Sequence, residues 1–111
     1  MKYCVLNHER DGTGYHEFYR GKWDGQSFWR DDSLYIDDYR LFEVKGFVGA
    51  LRAAVPYYDS YGITEISREQ WEKIGTLIRG GDGNAQELYQ EISEWTDEVF
   101  EKHDCFTILG L

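Results

Sequence analysis

Glutamates recur at positions 87, 91, 94, 98 and 101, at spacings of 4, 3, 4 and 3. At about 100° of rotation per residue, such positions form one ladder of carboxylates along a helix. Neighbouring rungs repel, and only Lys102 lies close enough in sequence to offset them. An isolated helix gains nothing from this arrangement. It is either a solvated face kept charged for solubility or a surface for a basic partner. Asp31, Asp32, Asp37 and Asp38 form a second acidic group, bracketing Leu34, Tyr35 and Ile36 with no base among them. Its members can cap a helix and end a strand, present charge to a partner, or offer oxygen ligands to a hard divalent cation. The calcium-loop pattern, with its central glycine and final glutamate, is absent, and no metal site is assigned.

His8-Glu9 and His16-Glu17 are pairs from which a nuclease could draw an acid and a base. No cluster of Lys or Arg accompanies them to hold a phosphate, and the field of an acidic protein repels such a substrate. Nor does the chain carry a nucleophile elbow, a phosphate-binding loop, a zinc spacing or a dinucleotide fingerprint. Both histidines read as surface residues of a loop and a hairpin. No catalytic and no cofactor-binding residue is assigned, and a non-enzyme is expected.

The net charge is −9, and its distribution is uneven. Residues 31–38 hold four acids and no base, and residues 82–104 hold eight acids and one base. The remaining segments are nearly balanced. Nucleic acid and anionic membrane both require the opposite sign, so a basic protein partner fits best. Hydrophobic residues make up 41% and aromatics 17% of the 111 residues, enough for one domain with its own core. No apolar run approaches the about 18 residues of a membrane span, and the N-terminal apolar stretch is too short for a signal peptide. A cytoplasmic protein is expected. Cys4 and Cys105 then read as small buried hydrophobes, with a disulfide as the alternative.

The elements that must position these groups follow from periodicity. Tyr3 to Asn7 reads as a strand. Tyr15 to Trp23 and Gln26 to Trp29 flank Asp24-Gly25, the dipeptide of a two-residue hairpin turn. Ser33 to Ile36 is a further short strand. Asp37 or Asp38 caps a helix reaching about Val55, with Leu41, Val44, Val48, Leu51 and Val55 on its buried face. Gly46 and Gly49 oppose that helix unless they permit close packing against the sheet; otherwise the strand extends and the helix starts near Gly46. Ile63 to Ile66 reads as an extended link. Ser67 and Gln70 make a capping box and Ile66 and Trp71 a hydrophobic staple, opening a helix that stops at Gly80-Gly81. The last helix runs from Asp82-Gly83-Asn84 to about Lys102, burying Leu88, Ile92, Trp95 and Val99. Cys105 to Leu109 closes the chain as a strand. The order implies an α+β domain over residues 1–111, a small twisted sheet with about three helices packed mainly on one face.

The stretch Val55-Pro56-Tyr57-Tyr58-Asp59-Ser60-Tyr61-Gly62-Ile63-Thr64-Glu65-Ile66-Ser67-Arg68-Glu69-Gln70-Trp71 ends one element at Pro56, turns at Gly62 with φ expected positive, and starts the next. With the C-terminal Cys105-Phe106-Thr107-Ile108-Leu109-Gly110-Leu111, it resembles small acidic immunity proteins that accompany bacterial polymorphic toxins, including those of contact-dependent growth inhibition. The resemblance covers about a quarter of the chain. It implies an inhibitor that binds a cognate toxin domain. Such families share no catalytic motif, and no functional residue carries over.

Tyr57, Tyr58 and Tyr61 surround Asp59 in the loop after Pro56, where they form either a lid on the core or an interface. The candidate partner-binding set is therefore Trp29, Asp31, Asp32, Tyr35, Asp37 and Asp38, then Tyr58, Asp59 and Tyr61, then Glu91, Glu94 and Glu98. The expected function is neutralisation of a basic, nuclease-type toxin domain. A non-toxin adaptor and a small enzyme are the alternatives.

Overall fold

The computed structural model describes residues 1–110; Leu111, the last residue of the C-terminal run quoted above, lies outside them. Five strands form one antiparallel sheet: β1 (Cys4–Val5), β2 (Tyr15–Arg20), β3 (Leu34–Asp37), β4 (Ile63–Ser67) and β5 (Cys105–Leu109), in the order β1-β3-β2-β5-β4. Four helices join them: α1 (Asp38–Glu43), α2 (Lys45–Ala54), α3 (Arg68–Ile78) and α4 (Gly83–Val99). The fold is α+β. Among the described residues, no helix is long and apolar enough to cross a membrane.

Side chains alternate across the sheet and so divide it into two faces. Phe18, Leu34, Ile36, Ile66, Phe106 and Ile108 point to the helices and join Leu41, Phe47, Leu51, Ile74, Leu88 and Ile92 in one core. Trp71 and Trp95 close it, each edge-on to Phe106. The apolar stripes expected along α2, α3 and α4 are all buried here. Cys4 is buried and Cys105 half-buried, and both are free thiols.

A loop, residues 21–33, covers the second face at β3, β2 and β5. Here the structure departs from the hairpin expected around Asp24-Gly25: β2 ends at Arg20 and pairs with β3, with Phe18 opposite Leu34. Asp24-Gly25 does turn the chain, since Asp24 accepts the N–H groups of Gln26 and Ser27 and Gly25 has φ 84°. The turn sits inside the loop and joins no strands. What fixes the loop is Glu17, which is buried on this face. Its carboxylate accepts the N–H groups of Trp29 (2.7 Å) and Arg30 (3.1 Å) and the Ser33 hydroxyl (2.7 Å).

Three other boundaries shift. The strand expected from Tyr3 keeps only Cys4 and Val5, followed by a 3-10 turn at Asn7–Glu9. The helix expected from Asp37 to Val55 breaks at Val44 (φ −87°, ψ 73°) into α1 and α2. Gly46 serves close packing, but against α4: a Cβ there would lie 3.1 Å from that of Ala85. The link at 63–66 is a full edge strand, β4. The caps fall where the sequence puts them. Asp37 accepts the N–H groups of Tyr39 and Arg40, and Ser67 and Gln70 exchange both bonds of a capping box.

Ser67→Ala should cost about 1 kcal/mol through the lost cap and Trp71→Ala about 3–5 kcal/mol through the emptied core, in denaturant titration. Glu17→Gln should cost about 1–3 kcal/mol, because an amide presents an N–H to one of the donors that the carboxylate now satisfies. It should also alter Trp29 fluorescence, whereas an unchanged midpoint and spectrum would mean that the loop is held by packing alone.

Candidate functional site

The Asp31–Asp38 group does not form one patch. Ser33 and the first three residues of β3 separate its halves, and Leu34 to Asp37 alone spans about 10 Å at about 3.3 Å per residue. At one end Asp31 accepts a hydrogen bond from the Asn7 side chain (2.8 Å), and Asp32 lies near Arg30 (3.4 Å) and Arg20 (4.0 Å). Between them Tyr35, expected at an interface, is fully buried on the loop-covered face, its hydroxyl donating to the Arg30 carbonyl. Trp29 stacks on that ring (5.9 Å between centroids), and the Arg10 guanidinium lies 3.9 Å above the indole. Trp29 and Tyr35 are thus engaged within the protein.

The glutamate ladder of α4 is also divided. Glu91 turns inward and accepts the N–H groups of Lys2 (2.7 Å), Tyr3 (3.0 Å) and Cys4 (2.6 Å), fastening the N-terminal strand to the helix. Glu87 pairs with Lys2 (3.0 Å) and Glu98 with Arg20 (3.6 Å). Glu94 is exposed and makes no ion pair among the described residues. A reversal of Glu91 would therefore test the fold as much as any interface.

At the other end of β3 the structure brings together what the sequence had kept apart. Asp37 and Asp38, from the start of α1, meet Tyr58 and Tyr61 from the loop after Pro56. His16 joins them. It was expected at the surface, but position 16 shares the helix-side face of β2 with Phe18, and the ring is buried. Its Nδ1 lies 2.7 Å from Asp38 Oδ1 and its Nε2 2.8 Å from the Tyr58 hydroxyl. The carboxylate accepts, which puts a proton on Nδ1 and leaves Nε2 to the phenol. Burial raises the Tyr58 hydroxyl to about 12, so it stays protonated and able to donate. The Phe42 ring stands edge-on to the imidazole at 5.7 Å.

Above this relay opens a cleft of about 480 Å³. Tyr39, Phe42 and Tyr61 line it with Asp11, Asp37 and Asp38 above the His16 ring, and among the described residues no Lys or Arg does. Tyr39 and Tyr61 are more than four-fifths exposed, at 83% and 86%. Asp59 shapes the loop instead of facing the cleft: its Oδ1 accepts the Tyr61 N–H (2.9 Å). Gly62 does not take the positive φ expected of it, but it leaves room for the Asp59 side chain. A Cβ at 62 would stand 2.7 Å from the Asp59 carboxylate.

Both nitrogens of His16 are occupied, so the Asp38–His16 pair offers no open base to a molecule in the cleft. Among the described residues, no group of three or more His, Cys, Asp or Glu side chains is placed to hold a metal ion. What the cleft does present is apolar ring surface beside negative charge, which suits a cationic side chain on an otherwise apolar segment. Sequence reading missed Asp11, Tyr39 and Phe42 and placed His16 at the surface. Only His16 left a signal, through its two-residue spacing from Phe18.

Glu91 gives this architecture a pH dependence. Partial burial opposes its charge, but the N–H of Cys4 and then those of Lys2 and Tyr3 outweigh this and hold its carboxyl below the ordinary 4.5. The stability it contributes is complete above about pH 4.5 and is lost as pH falls through the lowered value. Glu91→Gln should lose about 1.5–3 kcal/mol at neutral pH, as expected for hydrogen bonds to a charged group, and should flatten the acid limb of a stability–pH titration. An unchanged acid limb would mean that the N-terminal strand is held without this carboxylate.

No family model matches the chain, and the comparisons with curated proteins and with solved structures likewise return no match.

Proposed function

We propose that this chain is a cytoplasmic immunity protein: it binds a basic, nuclease-type toxin domain and occludes that domain's phosphate-binding surface. The observation that carries this reading is the cleft at the end of the sheet. Three exposed or half-exposed aromatic rings and three carboxylates line it, with no Lys or Arg among the described residues and with both nitrogens of its one imidazole, His16, already bonded, and large exposed aromatics are the residues from which binding hot spots are built. Among the described residues the Tyr39 and Tyr61 hydroxyls make no hydrogen bond that binding would have to break, and their rings cost little rotamer entropy to fix. The surrounding charge acts at longer range. With a net charge of −9, the protein attracts a basic surface and competes electrostatically with nucleic acid for it. The resemblance of residues 55–71 and 105–111 to immunity proteins supplies the toxin setting; the charge and the cleft supply the basic partner on their own.

The test is kinetic and cellular together. Expression should protect a bacterial host against the toxin domain encoded beside this gene and leave unrelated toxins active, because specificity rests on matched contacts. Tyr39→Ala and Tyr61→Ala should each weaken the complex by about 2 kcal/mol, mostly by faster dissociation, without lowering stability. Asp11→Lys should slow association, and the parent's association rate should fall steeply as salt rises. Equal protection against every toxin, or full affinity in both tyrosine variants, would overturn the reading.

A further inference from the structure

β4 is the edge of the sheet on the far side from β1, and it pairs with β5 alone. The Gly110 N–H donates to the Gly62 carbonyl (2.9 Å), in register with Ile63 opposite Leu109. In an antiparallel ladder the bonded pairs alternate. Residues 62, 64 and 66 therefore turn their backbone groups to β5, and residues 63, 65 and 67 turn theirs to the free edge. Two of the outward groups are taken. The Ser67 N–H donates to Gln70 Oε1 (2.8 Å), and the Glu65 carbonyl accepts the Tyr57 hydroxyl at 3.2 Å. Gln70 in turn donates to that hydroxyl (2.7 Å), holding a mostly exposed ring along the edge. The N–H and carbonyl of Ile63 and the N–H of Glu65 have no partner among the described residues. Ile63 itself is half exposed, at 49%.

We propose that this edge is a docking strand for an extended segment of a basic protein, added antiparallel with a lysine or arginine opposite Glu65. The Tyr57 hydroxyl then stands in for one donor of the missing strand, and the long bond it makes is the one an incoming N–H replaces. Charge selects the occupant. A second copy in antiparallel register about Glu65 would set two carboxylates face to face, which is destabilising for directly opposed residues. Among the described residues Glu65 has no cation within ion-pair distance, although Lys22, Lys102 and His103 share a hollow with it and with Asp104. A cation on the added strand meets an unpaired carboxylate, while Ile63 offers apolar surface two residues away. Such an edge guarded by a charge resists self-association yet stays open to a complementary strand. The inference adds a docking mode to the basic partner proposed above, but it is tested without that partner.

The probe is the protein's own edge with its charge reversed. Glu65→Lys, or Glu65→Arg should the first variant misfold, leaves the ladder to β5 untouched because the side chain is exposed. At millimolar concentration and low salt, parent and variant should each sediment as monomers, and their equimolar mixture as a dimer. Amide shifts in the mixture should centre on Ile63 and Glu65. Adding Ile63→Pro to the variant removes the outward N–H and should abolish the dimer. A mixture that stays monomeric, or a dimer indifferent to Ile63→Pro, overturns the proposal. So does a parent that dimerises alone through β4, which would make the occupant a second copy.

Discussion

One buried carboxylate governs how this chain can fold. A sheet with helices on one side must do something with its other face, and here Glu17 draws a loop across it. Its oxygens collect two backbone N–H groups and a hydroxyl from residues 29, 30 and 33. Burying a charge is costly unless donors surround it, and these donors exist only when the loop is closed. Closure brings Trp29 onto Tyr35 and the Gly21 carbonyl onto the Thr107 hydroxyl (2.7 Å). It also holds Trp29 at φ 58°, a left-handed conformation that costs a non-glycine residue about 1–3 kcal/mol. The same bond that satisfies Glu17 holds that strained residue in place.

The acidic excess, treated as one property of the sequence, divides into two kinds of group. Glu17, Glu91 and Asp38 each have donors inside the protein and tie elements distant in sequence, while Asp37 caps α1 locally. Asp11 and Glu94 are exposed, and neither makes an ion pair among the described residues. Asp37 and Asp38 belong to both kinds, because tying α1 to the sheet leaves them on the rim of a cleft. Structural use of a carboxylate satisfies some of its lone pairs without removing its negative potential. The same residues can thus build the site and give it its sign.

Local chemistry was legible in the sequence, and long-range chemistry was not. The capping box at Ser67, the cap at Asp37 and the apolar stripes of α3 and α4 are written within a few residues, and the structure has all of them. The α+β class follows from their order. The β2–β3 pairing was missed because Phe28 and Trp29 look like a strand beside Asp24-Gly25. What diverts them into a loop is Glu17, twelve residues before Trp29. Glu91 looked like one rung of a surface ladder, since nothing local announces three N–H groups contributed from residues 2–4. His16 and Tyr58 are 42 positions apart, and only the finished sheet brings them within hydrogen-bond distance. The candidate site was therefore half visible: Asp37, Asp38, Tyr58 and Tyr61 were named, but Asp11, Tyr39 and Phe42 and the assembly around a buried histidine were not.

The central claim is that a basic partner sits on the cleft end of the sheet and not on the outer face of α4. Hydrogen–deuterium exchange of the chain, free and bound to a toxin domain that it is found to neutralise, tests that location directly. Slowed exchange should appear in residues 11–16, 38–42 and 59–65, with α4 beyond Glu94 unchanged. Protection confined to residues 94–101, or to the loop at 26–32, would contradict the account.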